Sequence, residues 1–297
     1  IGCYGNSVVR TPNIDRLAEQ GTRFERHYVQ TPQCVPSRVS LATGRYPHVH
    51  RTPTNLYRLP DEEQTLARIL NKAGYRTATV GEMPFAPRTY LGGFQELVAS
   101  GKEHDALLKR HGWRDPKRLV EFERLSKERF QASAVPWPEE LDETAFFAGE
   151  ARSYLRRNKE HPFFLHVNLR RPHHPFDPPA PFHRMYEGAR FPASHKRDGE
   201  MKNKPPGHAK ALHSSVGFDL TKMTERDLDL VKSYYYGMIS LNDKYVGEIL
   251  EELDKLGLSE RTVVVFNADH GEMLGDHGLL FKGGYMYEEV LHIPLIV

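Results

Sequence analysis

Apolar and polar positions follow two different periods along this chain, and each period predicts a different element. Residues 161–169 (HPFFLHVNL) and 261–269 (RTVVVFNAD) are short runs of aromatic and β-branched residues, which are typical of buried strands in a parallel sheet. From about residue 224 to 256, apolar residues recur at helical spacing, which predicts an amphipathic helix. Strand, helix and strand in this order predict an α/β fold.

A short helix is predicted near the start of the chain. In residues 11–21 (TPNIDRLAEQG), Thr11 suits the N-cap and Pro12 the first helical position. Gly21 suits the residue just after the last turn, because glycine commonly ends helices. These signals predict a helix between Thr11 and Gly21.

A second helix start places a cysteine in an unusual position. Pro36 suits the first helical position and Gly44 the residue that ends the helix, so Cys34 is expected at the positive end of the helix dipole. That position lowers the pKa of a thiol and attracts anions, and Arg38 adds a fixed cation. A reactive thiol and a buried, inert one beside a structural arginine both remain open at this point.

Composition narrows the function classes. The chain has 297 residues with 41 Lys and Arg against 39 Asp and Glu, spread without a basic stripe, so we expect no nucleic-acid partner. No apolar run reaches the 18 or so residues of a membrane span. The two cysteines, Cys3 and Cys34, form no CxxC pair, which argues against a disulfide framework or a thiolate zinc site.

Polar clusters follow both predicted strands, where α/β proteins commonly bind ligands. After the first strand, His173 and His174 lie between Pro172 and Pro175, so we expect at least one imidazole to project from a rigid loop. A solvated loop histidine is the alternative interpretation.

The second cluster, NADHGEMLGDHGLLFKGG, begins at the end of the second strand. Asp269 and His270 are followed by Gly271, which permits a sharp turn that could aim both side chains at a cation. Asp276, His277 and Lys282 follow, and a polar glycine-containing loop without a ligand is the alternative.

Two stretches look like insertions: residues 100–140 are rich in charge, and residues 178–222 are rich in Pro, Lys and His. They could be surface excursions or loops that shape the mouth of a substrate site. We expect a single incomplete catalytic domain over residues 1–297, interrupted by these two stretches.

Together these residues resemble the sulfatase family of the alkaline phosphatase superfamily. The motif is Cys-x-Pro-Ser-Arg followed by Thr-Gly, here residues 34–38 and 43–44. The blocks GCYGN, RYPHVH, PFFLHVNLRRPHHPF and DHGEMLGDHGLLFKG stand in the family's order. The resemblance implies a mostly parallel central sheet flanked by helices, and a chain that lacks both ends, including the C-terminal subdomain.

The resemblance also implies a reaction. Cys34 would be oxidised to formylglycine by the formylglycine-generating enzyme, and the hydrated aldehyde would attack the sulfur of a sulfate ester, a covalent mechanism in two displacements. The substrate would be a small-molecule or carbohydrate sulfate ester. The family uses a divalent cation, most commonly Ca²⁺.

Site roles carry over residue by residue. Asp269 and His270 correspond to one pair of metal ligands, and the formylglycine made from Cys34 is a third ligand and the nucleophile. Arg38 supports that nucleophile electrostatically. His173 and Lys282 correspond to residues that bind the sulfate group, where fixed positive charge stabilises the transition state.

Two departures from the family pattern limit this interpretation. The family's other metal-ligand pair, two adjacent aspartates, should precede residue 1, so we expect this chain to be part of a longer protein. Glu82 and Pro84 stand where the family has a Lys and a His, which replaces a sulfate-binding cation with a carboxylate. Another group could take over, the substrate could carry a cation, or the protein could be inactive; the candidate groups are His174, His48 and Arg88.

Four functions remain in competition. Sulfate ester hydrolysis leads, and a phosphonate or phosphodiester hydrolase with the same nucleophile is the nearest alternative. A catalytically weak or silent binding protein would follow from Glu82 and Pro84, and an ordinary cysteine hydrolase would leave the ordered blocks unexplained. The sequence indicates neither the particular ester nor the cellular compartment.

Overall fold

A three-stranded parallel sheet organises the chain. The computed structural model describes the backbone of residues 1–297 and all side chains except those of residues 116–118. The strands β1 (Arg76–Gly81), β2 (Glu96–Ala99) and β3 (Phe163–Asn168) pair in the order β2-β1-β3, and β1 pairs with β3 in register from end to end. The predicted α/β fold, with a parallel sheet flanked by helices, is confirmed.

Ten helices are described, some of which pack on this sheet. They are α1 (Pro12–Gln20), α2 (Cys34–Thr43), α3 (Pro47–His50), α4 (Leu66–Lys72), α5 (Gly101–Arg110), α6 (Pro116–Glu128), α7 (Glu143–Asn158), α8 (Pro206–His213), α9 (Glu225–Lys255) and α10 (Glu288–Leu291). Of these, α4, α5 and α7 pack directly on the sheet. Short 3₁₀ helices lie at Gly2–Tyr4, Glu139–Leu141, Phe182–Arg184, Glu200–Asn203, Leu220–Lys222, Ser259–Arg261 and Asp276–Gly278. One apolar cluster joins α7 to the sheet through Phe147, Ala151 and Val80.

The long helix predicted from its periodicity is confirmed as α9. It begins with a capping box in which Thr224 and Asp227 each satisfy the other's backbone N–H. Its buried positions, among them Leu241 and Tyr245, pack against α7. No helix among the described residues is both long and apolar enough to span a bilayer.

The helix starts differ in detail from the sequence signals. Helix α1 is confirmed, although the Thr11 side chain does not cap it and Gly21 is extended (φ −126°). Helix α2 begins at Cys34, so the prediction that Pro36 is its first residue was wrong by two positions, because the extended residue Gln33 is the N-cap. Gly44 ends α2 in the left-handed conformation (φ 68°), as predicted.

The second predicted strand is shorter than expected and lies in another sheet. Only Phe266–Asn267 form β4, which pairs antiparallel with β5 (Leu295–Ile296). Val263 and Val265 are 79% and 55% exposed, so this apolar run is not buried over its whole length. Membership of residues 261–269 in the parallel sheet was therefore a wrong prediction.

The two stretches predicted as insertions have different structures. Residues 100–140 contain α5 and α6, so this stretch is largely helical. The Ser100 side chain starts α5 with a capping box to Glu103, a signal that charge composition obscures. Residues 178–222 combine α8 with 3₁₀ turns and irregular backbone.

Candidate active site

Several segments converge beside the parallel sheet. Strands β1 and β3 are parallel neighbours, so the segments that follow them leave the same edge. Glu82 follows β1 directly, and residues 170–177 follow β3. Cys34 is the first residue of α2, and Asp269 and His270 lie two and three residues after the end of β4.

The thiol of Cys34 contacts an imidazole. His270 places Nε2 3.2 Å from Cys34 Sγ, and its Nδ1 bonds the Gly271 carbonyl oxygen at 2.9 Å. Burial alone would raise the pKa of Cys34, but hydrogen bonds to His173 and His270 lower it to about 5. Burial likewise opposes the charge on His270, yet Asp269 and Cys34 raise its pKa. In the unmodified site the two groups therefore stabilise each other, the thiol toward its thiolate form and the imidazole toward its protonated form.

Two consecutive residues of α2 hold Asp269 in place. Arg38 Nε donates to its Oδ2 at 2.7 Å, and Ser37 Oγ donates to its backbone carbonyl oxygen. Burial would raise the pKa of Asp269, but His270 and Arg38 lower it. Burial would lower the pKa of Arg38, but Asp269 and Cys34 raise it. Both groups are therefore charged, and α2 holds the segment that follows β4.

The two histidines after β3 have different environments. His173 Nδ1 bonds the His174 carbonyl oxygen at 2.5 Å, and the same ring helps to lower the pKa of Cys34. His174 packs edge-on against Phe281 and lies 3.1 Å, Nδ1 to Nζ, from Lys282. Burial and the charge of Lys282 lower the pKa of His174 to about 2. These surroundings favour a neutral His174, which speaks against a cationic role for it.

Glu272 is a site residue that the sequence interpretation missed. Burial raises its pKa, while the nearby charges of Lys282 and His270 oppose that shift. Lys282 is itself buried, which lowers its pKa, while Glu272 and Cys34 raise it. The glutamate stands three residues after Asp269 in the DHGE block, and that position was the available signal.

A buried ion network holds the loop after β3. Arg171 Nη2 donates to Asp142 Oδ2 at 2.7 Å, and Nη1 pairs with Asp177. Arg171 is only 8% exposed and Asp142 is fully buried. Asp142 also caps α7 by accepting from the Thr144 N–H. Nothing in residue spacing indicated that this arginine turns inward, yet it fixes the segment that carries His173.

The segment after β1 has the unusual residues. Glu82 Oε1 pairs with Arg88 Nη2 at 2.9 Å, and the Arg88 side chain is 80% exposed. Glu82 also acts electrostatically on Arg38, so its charge is felt within the site. Pro84 is buried. Of the possible replacement cations, His48 is exposed and stacks on Tyr46, whereas Arg88 is held beside the site by Glu82.

The side chains present fit a divalent cation in part. One ligand atom from each of Cys34, Asp269 and His270 lies within 4.8 Å of the others. Ca²⁺ prefers six to eight oxygen ligands, and these residues supply a single carboxylate. They can hold one side of a cation, and water or substrate oxygens would have to complete its shell.

A cavity of about 200 Å³ opens beside His173. Its lining includes Phe122, Trp137, Arg114 and Arg170, and the Arg114 guanidinium stacks over the Trp137 ring. Three of these residues lie within residues 100–140. This stretch therefore contributes a wall next to a predicted site residue.

Comparisons with known proteins agree with this geometry. A sequence model of the sulfatase family matches residues 1–297. The chain is 30% identical to the multifunctional alkaline phosphatase superfamily protein PehA of Trinickia caryophylli and 29% identical to an arylsulfatase of Clostridium perfringens, which align with 97% and 100% of it. The phosphonate monoester hydrolase of Agrobacterium radiobacter superposes on the whole chain with a TM-score of 0.80 at 28% identity.

This chain matches only part of the length of each of these relatives. This chain spans 62% of the Trinickia protein and 65% of the Clostridium arylsulfatase. It covers 64% of the Agrobacterium hydrolase. The shared part contains the convergence of Cys34, Asp269 and His270 described above.

Proposed function

Because this chain belongs to the sulfatase family, we propose that it contributes the active site of a sulfuric ester hydrolase whose nucleophile is made from Cys34. The observation that carries this proposal is the convergence of Cys34, His270 and Asp269 at the first turn of α2. A formylglycine-generating enzyme would have to act on Cys34 before catalysis.

The modified residue and the cation would supply the reactive chemistry. The hydrated aldehyde in place of the Cys34 thiol supplies one hydroxyl group to displace the alcohol and a second to release sulfate. A divalent cation, for which we propose Ca²⁺, would be held by Asp269, His270 and the modified Cys34, and would polarise sulfate oxygens.

The chain's own residues bind and orient the ester. We assign sulfate binding to Lys282 Nζ and His173, because both side chains lie against Cys34 or interact electrostatically with it. Arg38 holds Asp269 in place through its Nε. Fixed cations around the sulfuryl group are worth more in a partly dry site than in water.

The alcohol part of the ester would enter the cavity beside His173. Phe122 and Trp137 offer aromatic faces, while Arg114 is paired with Asp105 and Arg170 with Glu143. This lining favours an aryl alcohol group. The same wall could accept an aryl phosphonate.

Phosphonate monoester hydrolysis is the second candidate, favoured by the superposition on the Agrobacterium enzyme. The reaction class is tested by comparing kcat/KM for 4-nitrophenyl sulfate and 4-nitrophenyl phenylphosphonate. We expect the sulfate ester to be preferred; a marked preference for the phosphonate would transfer the proposal to the second class.

The nucleophile is tested separately. Protein made together with a formylglycine-generating enzyme should yield a Cys34 peptide whose mass reports the aldehyde, and Cys34→Ala should abolish turnover. Cys3→Ala changes the chain's other cysteine and should leave turnover unchanged. Hydrolysis by wild type that survives in Cys34→Ala would exclude this nucleophile, and no hydrolysis by modified wild type would favour a silent binding protein.

A further inference from the structure

A second group of metal-ligating side chains lies outside the proposed active site. It joins His195, in the stretch 178–222, to Asp276 and Glu289, in the segments between β4 and β5. One ligand atom from each lies within 4.8 Å of the other two. This group shares no residue with Cys34, Asp269 and His270. We propose that it is a binding site for a borderline divalent cation of the zinc class.

The carboxylates of this group are oriented before any ion binds. Asp276 Oδ1 accepts from the His195 backbone N–H at 2.6 Å, and the same oxygen lies 3.6 Å from the imidazole Nδ1 of His195. Ligand atoms on one Zn²⁺, with bonds of about 2.0–2.2 Å, lie about 3.3 Å apart. The His195 side chain is 83% exposed, so a rotation of this imidazole can close the remaining distance.

Glu289 provides a second observation that points to an ion. Its Oε2 is buried and accepts no hydrogen bond from the described residues. Buried carboxylate oxygens are normally paired or bound to a cation. Its other oxygen, Oε1, lies 3.7 Å from His277 Nε2. A cation between Glu289 and Asp276 would satisfy the orphaned oxygen.

His277 has the arrangement of a metal-ligating histidine. Its Nδ1 bonds Glu200 Oε1 at 2.5 Å, which leaves Nε2 directed toward Glu289. A carboxylate on the far nitrogen of the imidazole is the usual second partner of a zinc-bound histidine. The ring also stacks on Tyr287, with centroids 4.0 Å apart. His277 therefore stands beside the group through Glu289, and its imidazole would have to move to become a fourth ligand.

The charge and ligand types select the ion. This region has three carboxylates, those of Glu200, Asp276 and Glu289. The ammonium of Lys204 lies 4.0 Å from Glu200 and offsets one of these charges. The excess negative charge favours a cation. Imidazole together with carboxylate suits Zn²⁺, whereas Ca²⁺ prefers a shell of oxygens. Bound metal would fasten the stretch around His195 to the segment that also carries Lys282.

Calorimetric titration of ZnCl₂ into chelator-stripped protein tests this site. The Cys34→Ala background removes one ligand of the active-site group, and His195→Ala is then compared with His213→Ala. His213 is a matched control, because it is an exposed histidine whose Nδ1 lies 3.7 Å from Asp219 Oδ1. We expect His195→Ala to weaken zinc binding about tenfold or more and His213→Ala to leave it unchanged.

Two further measurements make the result decisive. Zinc should raise the Tm of the Cys34→Ala protein by several degrees and should raise that of the His195→Ala variant much less. Co²⁺ in the same protein should give the visible absorption of a four-coordinate ion, and this absorption should be lost in Glu289→Gln. Equal zinc affinity in the two histidine variants, or no zinc binding by the Cys34→Ala protein, would overturn the proposal.

Discussion

The segments that follow β3 and β1 leave the same edge of the sheet, yet they are held in opposite ways. After β3, Arg171 is buried between two carboxylates, of Asp142 and Asp177. After β1, Glu82 pairs with Arg88, whose side chain is 80% exposed. The first pairing is largely buried, and the second is open to water.

This difference suggests that the segment after β3 is a rigid framework and that the segment after β1 can vary. A buried charge that loses its partner is strongly destabilising, whereas exposed pairs contribute little because water and salt screen them. The Arg171 network therefore fixes His173 in place. The Glu82 segment can change its charge with little effect on stability, so its role is expected in substrate preference.

The largest effect is expected at the framework. Arg171→Met would leave the Asp142 and Asp177 carboxylates buried without a cation, so we expect the free energy of unfolding to fall by about 3–5 kcal/mol. Urea unfolding followed by circular dichroism measures the change. The same substitution at Arg124, which pairs on the surface of α6 with Glu121 and Glu128, should have little effect. Comparable losses in both variants would contradict a special role for burial.

A histidine links the strands that carry the two segments. His166 on β3 is paired in register with Thr79 on β1, and its Nδ1 lies 3.2 Å from the Thr79 hydroxyl. Burial and the charge of Arg38 lower the pKa of His166 to about 4. Between pH 6.5 and 4 the unfolded chain binds a proton that the folded protein does not. Stability should therefore fall as the pH decreases through this range.

His166→Gln removes this titration while it retains a polar partner for Thr79. Between pH 6.5 and 4, the free energy of unfolding should fall by up to about 3 kcal/mol less in this variant than in wild type. The free energy of unfolding is measured at each pH. His161→Gln, at an exposed position before β3, is the control and should follow wild type. If the free energy of unfolding of His166→Gln and of wild type fell in parallel as the pH decreased, another group would be responsible for the loss of stability in acid.

What the sequence could predict depended on how locally each feature is encoded. Some features are encoded in continuous stretches of sequence, namely the Cys34 block, the residues after β4 and the periodicity of α9. The structure brings the side chains of the first two stretches together. Arg171 meets Asp142 across 29 residues, and no local pattern records which charge turns inward. The apolar run of β4 overestimated strand length, because a strand extends only where a partner strand runs beside it.

The Glu82 segment should respond in activity rather than in stability. Glu82→Gln removes a negative charge that acts on Arg38, so we expect kcat/KM for 4-nitrophenyl sulfate to rise about three- to tenfold, or about 0.7–1.4 kcal/mol. Glu96→Gln, which changes a partly exposed glutamate 3.4 Å from Arg157, should have no such effect. A fall in kcat/KM would instead indicate that Glu82 assists the reaction or binds a cationic part of the ester.

The smallest effect is expected from Arg88→Ala. Because the arginine is mostly exposed, the free energy of unfolding should change by less than about 1 kcal/mol. The Glu82 carboxylate would lose its partner, so kcat/KM for the sulfate ester should fall about two- to threefold, and the effect should weaken at high salt. The measurement is a double-mutant cycle with Glu82→Gln.

The cycle distinguishes two roles for Arg88. If it only neutralises Glu82, Arg88→Ala should have no effect once Glu82 is Gln, and we expect this outcome because the guanidinium is held at the rim by its ion pair with Glu82. If Arg88 itself contacts sulfate, removing it should lower kcat/KM equally in both backgrounds. An equal loss would indicate that Arg88 takes the place of the lysine that the family pattern has at position 82. The segments after β1 and β3 would then differ in their contribution to stability but not in their importance for activity.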